Sequence, residues 1–427
     1  MPSASAPGKL ILFGEHAVVY GEPAIAVALS DLRIQVDVFT RKDGLIHVHM
    51  PDLKPHSAYY KTEAASLSMD ESSYQIPPSS KDSERIAQMI SASSLMEMSP
   101  ECLTALIPVV YLINVLLPNL LSTQQGLTIH VTSQSLPSGA GLGSSAALGV
   151  ACAAALFKLQ QNLLSHHSQN HHDDDSVTSS STTIWTQPSK DELNIINKYS
   201  FYSELLIHGT PSGIDNAVST FGGAIYFQRN VTEDSTQITM DTLSIPSFNI
   251  ILTNTHVVRS TKSLVAKVRF LKDTFPSIVQ PILTSIGAIS KQFRDLLYLT
   301  TTATENNHNN DIHPSLNESM ISNLIQINQH LLCSLGISHP SINRICQETT
   351  DLYDTLKCTT KLTGAGGGGC TYTLVERLDG ETSHEFETRL HHVQQVIESL
   401  SYHNHENTDH KFECFVSSIG NHGVLWC

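Results

Sequence analysis

Paired cysteines are missing from this chain of 427 residues. The eight cysteines, Cys102, Cys152, Cys333, Cys346, Cys358, Cys370, Cys414 and Cys427, are scattered, and no CxxC pair occurs. That pattern argues against a disulfide framework and for free thiols in a reducing compartment. Basic residues are also scarce, 25 Lys and Arg against 40 Asp and Glu, for a formal charge of −15. This sign disfavours nucleic acid or an anionic membrane as the main partner. It leaves room for a small anion, which backbone N–H groups and one or two cations can hold. The apolar stretch from Ala105 to Leu121 is interrupted by Pro108, Asn114 and Pro118, so it reads as a buried helix and not as a membrane span. The opening MPSASAPGKLILFGEHA lacks the hydrophobic region of a secretory signal, and the closing LWC is not a peroxisomal address. The expectation is a cytoplasmic protein with no membrane partner. Internal repeats and a Walker A loop are absent, and Ser144 stands where a dinucleotide fingerprint needs its third glycine.

What is present is an ordinary globular composition, 40% hydrophobic and 15% charged, long enough for two or three domains. Strand patterns occur at Lys9–Phe13, Leu32–Phe39, Leu127–Val131 and Phe248–Thr255, and again in FECFVSSIG near the C-terminus. A helix apolar on nearly every face is predicted from Ser144 onward, where Ala and Leu dominate. Further helical patterns cover Asp191–His208, Leu264–Leu299 and Ser319–Leu335. The mixture predicts an α+β architecture in two layers. Two stretches, about Met69–Ser83 and Ser165–Thr183, read as disordered low-complexity segments. The second holds His166, His167, His171 and His172 beside Asp173 to Asp175. No helical or strand period frames these residues, so they read as a solvated insertion and not as a metal site.

Four short stretches carry candidate chemistry. In LPSGAGLGSSAALG, Gly139, Gly141 and Gly143 alternate just before the predicted helix. Glycines admit a close anion, and a helix N-terminus supplies unpaired N–H groups with partial positive charge, so the loop can cradle a phosphate. In PGKLILFGEHAVVYG, Lys9 opens a strand, with Glu15 and His16 just past its end. In SELLIHGTPSGIDNAVS, Glu204 and His208 share a helix face, and Asp215 follows across a tight turn. One carboxylate could hold Mg2+ while the other accepts a proton. The Glu204/His208 spacing also suits zinc, but no third ligand has a comparable setting. In KLTGAGGGGC, Gly366 to Gly369 are costly to order, which points to a close backbone approach to a ligand or to another loop.

Taken in order with LTNTHVVRSTKSLVA, these stretches resemble the GHMP kinases, the small-molecule kinases named for galactose, homoserine, mevalonate and phosphomevalonate. Within them they are most similar to the mevalonate-phosphorylating branch. The resemblance spans about Pro7 to Gly423. It implies an α+β fold with an N-terminal domain similar to ribosomal protein S5 domain 2 (residues 1–240). A ferredoxin-like C-terminal domain would follow (residues 241–427), with the active site between the two. It implies ATP-dependent phosphorylation of the 5-hydroxyl of (R)-mevalonate, with Mg2+ as cofactor. Another GHMP activity, on phosphomevalonate or a sugar, and a non-catalytic ligand sensor are the alternatives.

By the same resemblance, Ser138, Gly139, Ala140, Gly141, Leu142, Gly143, Ser144 and Ser145 match the loop around the ATP triphosphate. Ser145 and Glu204 match the metal contacts, and Asp215 and Lys9 the catalytic pair. Glu15, His16, Thr261 and Ala365 match substrate-side positions, and Arg259 is a further cation that could hold the acidic substrate. A homodimer inhibited by prenyl diphosphates is expected on this ground alone. Ser138 stands where the family often has proline. No motif residue is missing, so a pseudoenzyme is not expected.

Overall fold

The computed structural model describes residues 1–51, 57–61, 77–94, 99–118, 120, 125–137, 140–168, 184–231, 236–305, 318–403 and 409–427. Its organising strand is β2 (Ala24–Arg41), which runs antiparallel to β1 (Ser3–Phe13) along most of its length. The second half of β2 also pairs with β5 (Gly126–Gln134), and its first residues pair with β6 (Ala224–Val231). At Leu29 it meets Ile419 of β13 (Glu413–Ile419). From β13 the sheet continues through β8 (Phe248–Asn254), β10 (Cys370–Val375) and β9 (Cys358–Leu362). Beyond β5 lie β3 (Leu45–His49) and β4 (Ser57–Lys61). The strands β7 (Thr236–Leu243) and β14 (Leu425–Trp426) add to β6 and β1. Among the described residues this makes one twelve-stranded sheet, with β11 (Ser401–His403) and β12 (Asp409–Lys411) as a separate pair.

Both N-terminal strands are longer than their sequence patterns. The residues Ser3 to Gly8 have little strand propensity, yet they are extended, with Ala4 facing Val36 on one side and Trp426 on the other. Pairing on both edges overrides the local preference. In β2 the residues from Ala24 to Leu29 are buried on both faces, so the alternation that marks a half-buried strand is absent there.

The helices are α1 (Ser80–Ser93), α2 (Pro100–Leu116), α3 (Ser144–Ser168), α4 (Lys190–His208) and α5 (Ile214–Phe221). In the C-terminal half they are α6 (Thr261–Thr274), α7 (Pro276–Glu305), α8 (Glu318–Ser334), α9 (Pro340–Asp351), α10 (Tyr353–Leu356) and α11 (Ser383–Ser399). The pattern read as one helical region over Leu264–Leu299 is two helices. The chain breaks at Phe275 and restarts on Pro276, where a missing N–H costs nothing. Residues 80–83, read as part of a disordered stretch, form the first turn of α1. Ser79 and Asp82 cap each other's backbone there. Residues 69–76 and 169–183 lie outside the described residues, whereas Ser165 to Ser168 belong to α3.

Helix α3 is long and apolar enough to cross a membrane by length and composition. In this fold it packs on β1, β2 and α4, with Val150 to Leu156 fully buried, so its apolar surface is core. Helix α2 is equally buried, as its sequence predicted. None of the eight cysteines forms a disulfide.

One glycine sets the exit from β1. Gly14 has φ +100°, and a Cβ there would lie 2.4 Å from the Ala24 Cα. The tight passage turns the chain so that Glu15 and His16 fall under the C-terminal half. Gly14→Ala is therefore expected to cost about 2–4 kcal/mol, read as a lower urea midpoint at unchanged m-value.

Candidate active site

Six segments converge on one cleft of about 710 Å³. Strand β1 brings Lys9, the first turn of α3 brings Ser144 and Ser145, and the last turns of α4 bring Glu204 and His208. The start of α5 brings Asp215 and Asn216. From the other half come Arg259 and Thr261 at the start of α6, with Gly364 and Ala365 after β9.

At the centre, Lys9 Nζ lies 3.2 Å from Asp215 Oδ1. The backbone N–H of Lys9 donates to Leu142 O at 2.8 Å, and Ser219 Oγ donates to Pro7 O at 2.8 Å. The strand bearing the cation is thus tied to both the glycine loop and α5. The loop glycines have an immediate steric reason. A Cβ on Gly143 would meet Lys9 Cγ at 2.8 Å, and one on Gly141 would meet Arg259 Nη2 at 2.0 Å. Arg259 Nη2 donates to Ala140 O at 2.9 Å, so this cation holds the loop from the opposite half. The loop therefore presents two cations to whatever enters it.

Glu204 is the most perturbed group of the site. Burial pushes its carboxyl up to about 7, and the Asp215 charge adds to the rise; the Ser145 hydroxyl and the Lys9 ammonium pull the other way. Its Oε2 lies 3.4 Å from His208 Nε2, while its buried Oε1 has no hydrogen-bond partner. A buried carboxylate oxygen left unpaired beside a serine hydroxyl fits a hard divalent cation that takes oxygen ligands. Such a cation commonly uses only one or two protein ligands and completes its shell with phosphate oxygens and water. The zinc reading finds no support, since among the described residues no three His, Cys, Asp or Glu side chains are grouped to hold a metal.

The sequence-predicted residues do not all meet. Lys9, Gly141, Gly143, Ser144, Ser145, Glu204, Asp215, Thr261 and Ala365 line the cleft together. Ala140 and Leu142 contribute through their carbonyls, and the Leu142 side chain is core. Ser138 and Gly139 lie outside the described residues. His16 is buried behind the wall, its Nε2 2.8 Å from Ala365 O. The carbonyl can only accept, so Nε2 carries the proton, and burial holds the ring pKa down. Glu15 does not line the cleft. Its two oxygens accept from Lys361 Nζ and, at 3.1 Å, from Asn328 Nδ2. The four glycines from Gly366 pass close to other segments, against Ile337, Leu264 of α6, Val257 and Arg259 in turn.

Sequence reasoning missed Lys361, Asn216 and the clasping role of Arg259. Lys361 stands in a quoted motif, but its partner is 346 residues away, and no local pattern signals that.

Folding raises the Glu204 pKa from near 4.5 to about 7, so the ionised group penalises the folded state. The penalty grows as pH rises between those values and is complete above the upper one. In metal-free protein, Glu204→Gln is thus expected to add up to about 3 kcal/mol of stability near pH 8 and little near pH 5. The same variant should weaken the hold of any divalent cation on this carboxylate. Urea denaturation at the two pH values, with Mg2+ titration by calorimetry, checks both.

Comparison with known proteins identifies the family of the chain. The chain matches the GHMP kinases N terminal domain over residues 109–171 and the GHMP kinases C terminal model over residues 312–403. It is 37% identical over 380 residues to the mevalonate kinase of Bos taurus, covering 87% of this chain and 85% of that one. To the mevalonate kinase of Mus musculus it is 36% identical over 430 residues, covering 98% and 93%. Its fold is similar to the crystal structure of L. major mevalonate kinase in complex with R-mevalonate, with TM-score 0.56 at 18% identity over 97% and 94% of the two chains. With relatives this similar over nearly their whole length, the chain belongs to the mevalonate kinase family, within the GHMP kinases.

Proposed function

We propose that this protein transfers the γ-phosphoryl group of ATP to the 5-hydroxyl of (R)-mevalonate, giving 5-phosphomevalonate and ADP. The observation that carries the reading is the Lys9–Asp215 pair, 3.2 Å apart, at the meeting point of the glycine loop and Glu204. Phosphoryl transfer has a loose transition state, so the protein contributes positioning and charge compensation. The carboxylate of Asp215 faces the cleft and accepts the proton of the attacking hydroxyl. The Lys9 ammonium, held by the backbone of its strand, neutralises charge developing on the transferred group. Gly141 to Ser145 and the first turn of α3 offer backbone N–H groups to the triphosphate.

Glu204 and Ser145 are the residues that would hold Mg2+, which when bound supplies charge neutralisation on the phosphates. Arg259 and Thr261, across the cleft, stand where they can meet the carboxylate end of the acceptor. The relatives named mevalonate kinase, and the similar fold seen with R-mevalonate, support this choice of acceptor.

The test is ADP release with ATP and Mg2+ against mevalonate, phosphomevalonate and galactose in parallel, with turnover expected on mevalonate. Turnover confined to another acceptor moves the specificity; ATP binding without turnover on any favours a sensor. Asp215→Asn is expected to lower kcat at least ~100-fold with the KM for ATP little changed, and Lys9→Met by ~100- to 1000-fold. An Asp215→Asn enzyme near wild-type kcat sinks the proton-acceptor role.

A further inference from the structure

Among the charges outside the cleft, one pair is buried without any evident gain in stability. The side chains of Lys361 and Glu15 are both 0% exposed and form an ion pair. Lys361 Nζ also donates to Leu362 O at 2.8 Å and lies 5.2 Å from the centre of the Tyr372 ring, its cross-strand neighbour. Burial pushes the Glu15 carboxyl up and the Lys361 ammonium down, each toward its neutral form. Removing two charges from water is costly, and apolar side chains of the same volume usually serve a fold at least as well. The pair calls for a reason other than stability.

Its position supplies one. Glu15 leaves the end of β1, and Lys361 belongs to β9, the strand that leads into Gly364 and Ala365. Asn328 on α8 holds the second Glu15 oxygen, so this side chain is fixed from two elements. The next residue, His16, has φ +59° and donates from Nε2 to Ala365 O. Ala365 lines the cleft. A continuous chain of contacts therefore runs from Lys361 through Glu15 and His16 to the wall opposite the glycine loop. The glycine-loop side is held by other bonds, from Lys9 N–H to Leu142 O and from Arg259 to Ala140 O.

We propose that Lys361 is a positioning residue for the acceptor: through Glu15 it sets His16 and, with it, the Ala365 wall of the cleft. The proposal rests on the reading of this cleft as a mevalonate kinase site. It places the effect on the acceptor and not on ATP.

The test is the volume-conserving double variant Glu15→Leu/Lys361→Met, because either single change leaves an unpaired buried charge. Its melting temperature is expected within about 3 °C of wild type. Its KM for mevalonate should rise at least ~10-fold while the KM for ATP stays within about twofold. In ¹⁵N-histidine NMR, wild-type His16 should show the Nε2–H tautomer, and the double variant should lose that signature. A folded double variant with wild-type KM values and an intact His16 signal overturns the proposal. So does an equal loss for ATP and acceptor. Should the double variant not fold, Asn328→Ala loosens Glu15 alone; an unchanged KM for mevalonate there overturns the proposal as well. The histidine signal reads the linkage whatever the acceptor, and wild-type turnover reads the acceptor, so the two failures are distinguishable.

Discussion

The placement of β1 governs the rest of the cleft. Its backbone carries Lys9 and, past Gly14, the turn with Glu15 and His16. It is held from several directions. β2 pairs along its length, β14 takes Ala4 and Ser5, and Ser219 takes Pro7. Thr363 Oγ1 donates to Ile11 O and accepts from Ile11 N, both at 3.0 Å, and Tyr372 donates to Leu12 O. A cation on a mobile strand would pay side-chain and backbone entropy at each turnover. Here the cost is met once, on folding.

The second constraint is charge in a partly dry site. Lys9 and Asp215 compensate each other, as do Lys361 and Glu15. Within the cleft, Glu204 is an acid whose burial outweighs the help it receives. A carboxyl near neutrality is poised to bind a cation at physiological pH and to lose it in acid. The two pairs serve different ends. The exposed side of Asp215 leaves it able to meet a hydroxyl, whereas Glu15 is sealed and can act only through the residues it positions.

The glycine loops show how one residue type answers two demands. Read as sequence, Gly141 and Gly143 make room for a phosphate. In the fold they first make room for Arg259 and Lys9, whose side chains fill the space a Cβ would occupy. The readings converge, because a loop shaped around two cations is also a loop shaped for an anion.

The sequence by itself determined the family, the core helices and most of the cleft. Motif residues such as Lys9, Ser145, Glu204 and Asp215 announce themselves by local spacing, and an Ala-rich helix announces its burial by having no polar face. Only the tertiary structure decided which candidates reach the cleft. Glu15 was legible as a site residue, yet Lys361 and Asn328 claim both its oxygens. Arg259 was legible as a loose candidate, and the fold makes it the clasp between the glycine loop and the C-terminal half. The physical reason is the same in each case. Spacing along the chain encodes local geometry, whereas pairing between residues hundreds of positions apart, and the burial that shifts a carboxyl toward 7, exist only once the sheet has brought distant strands together.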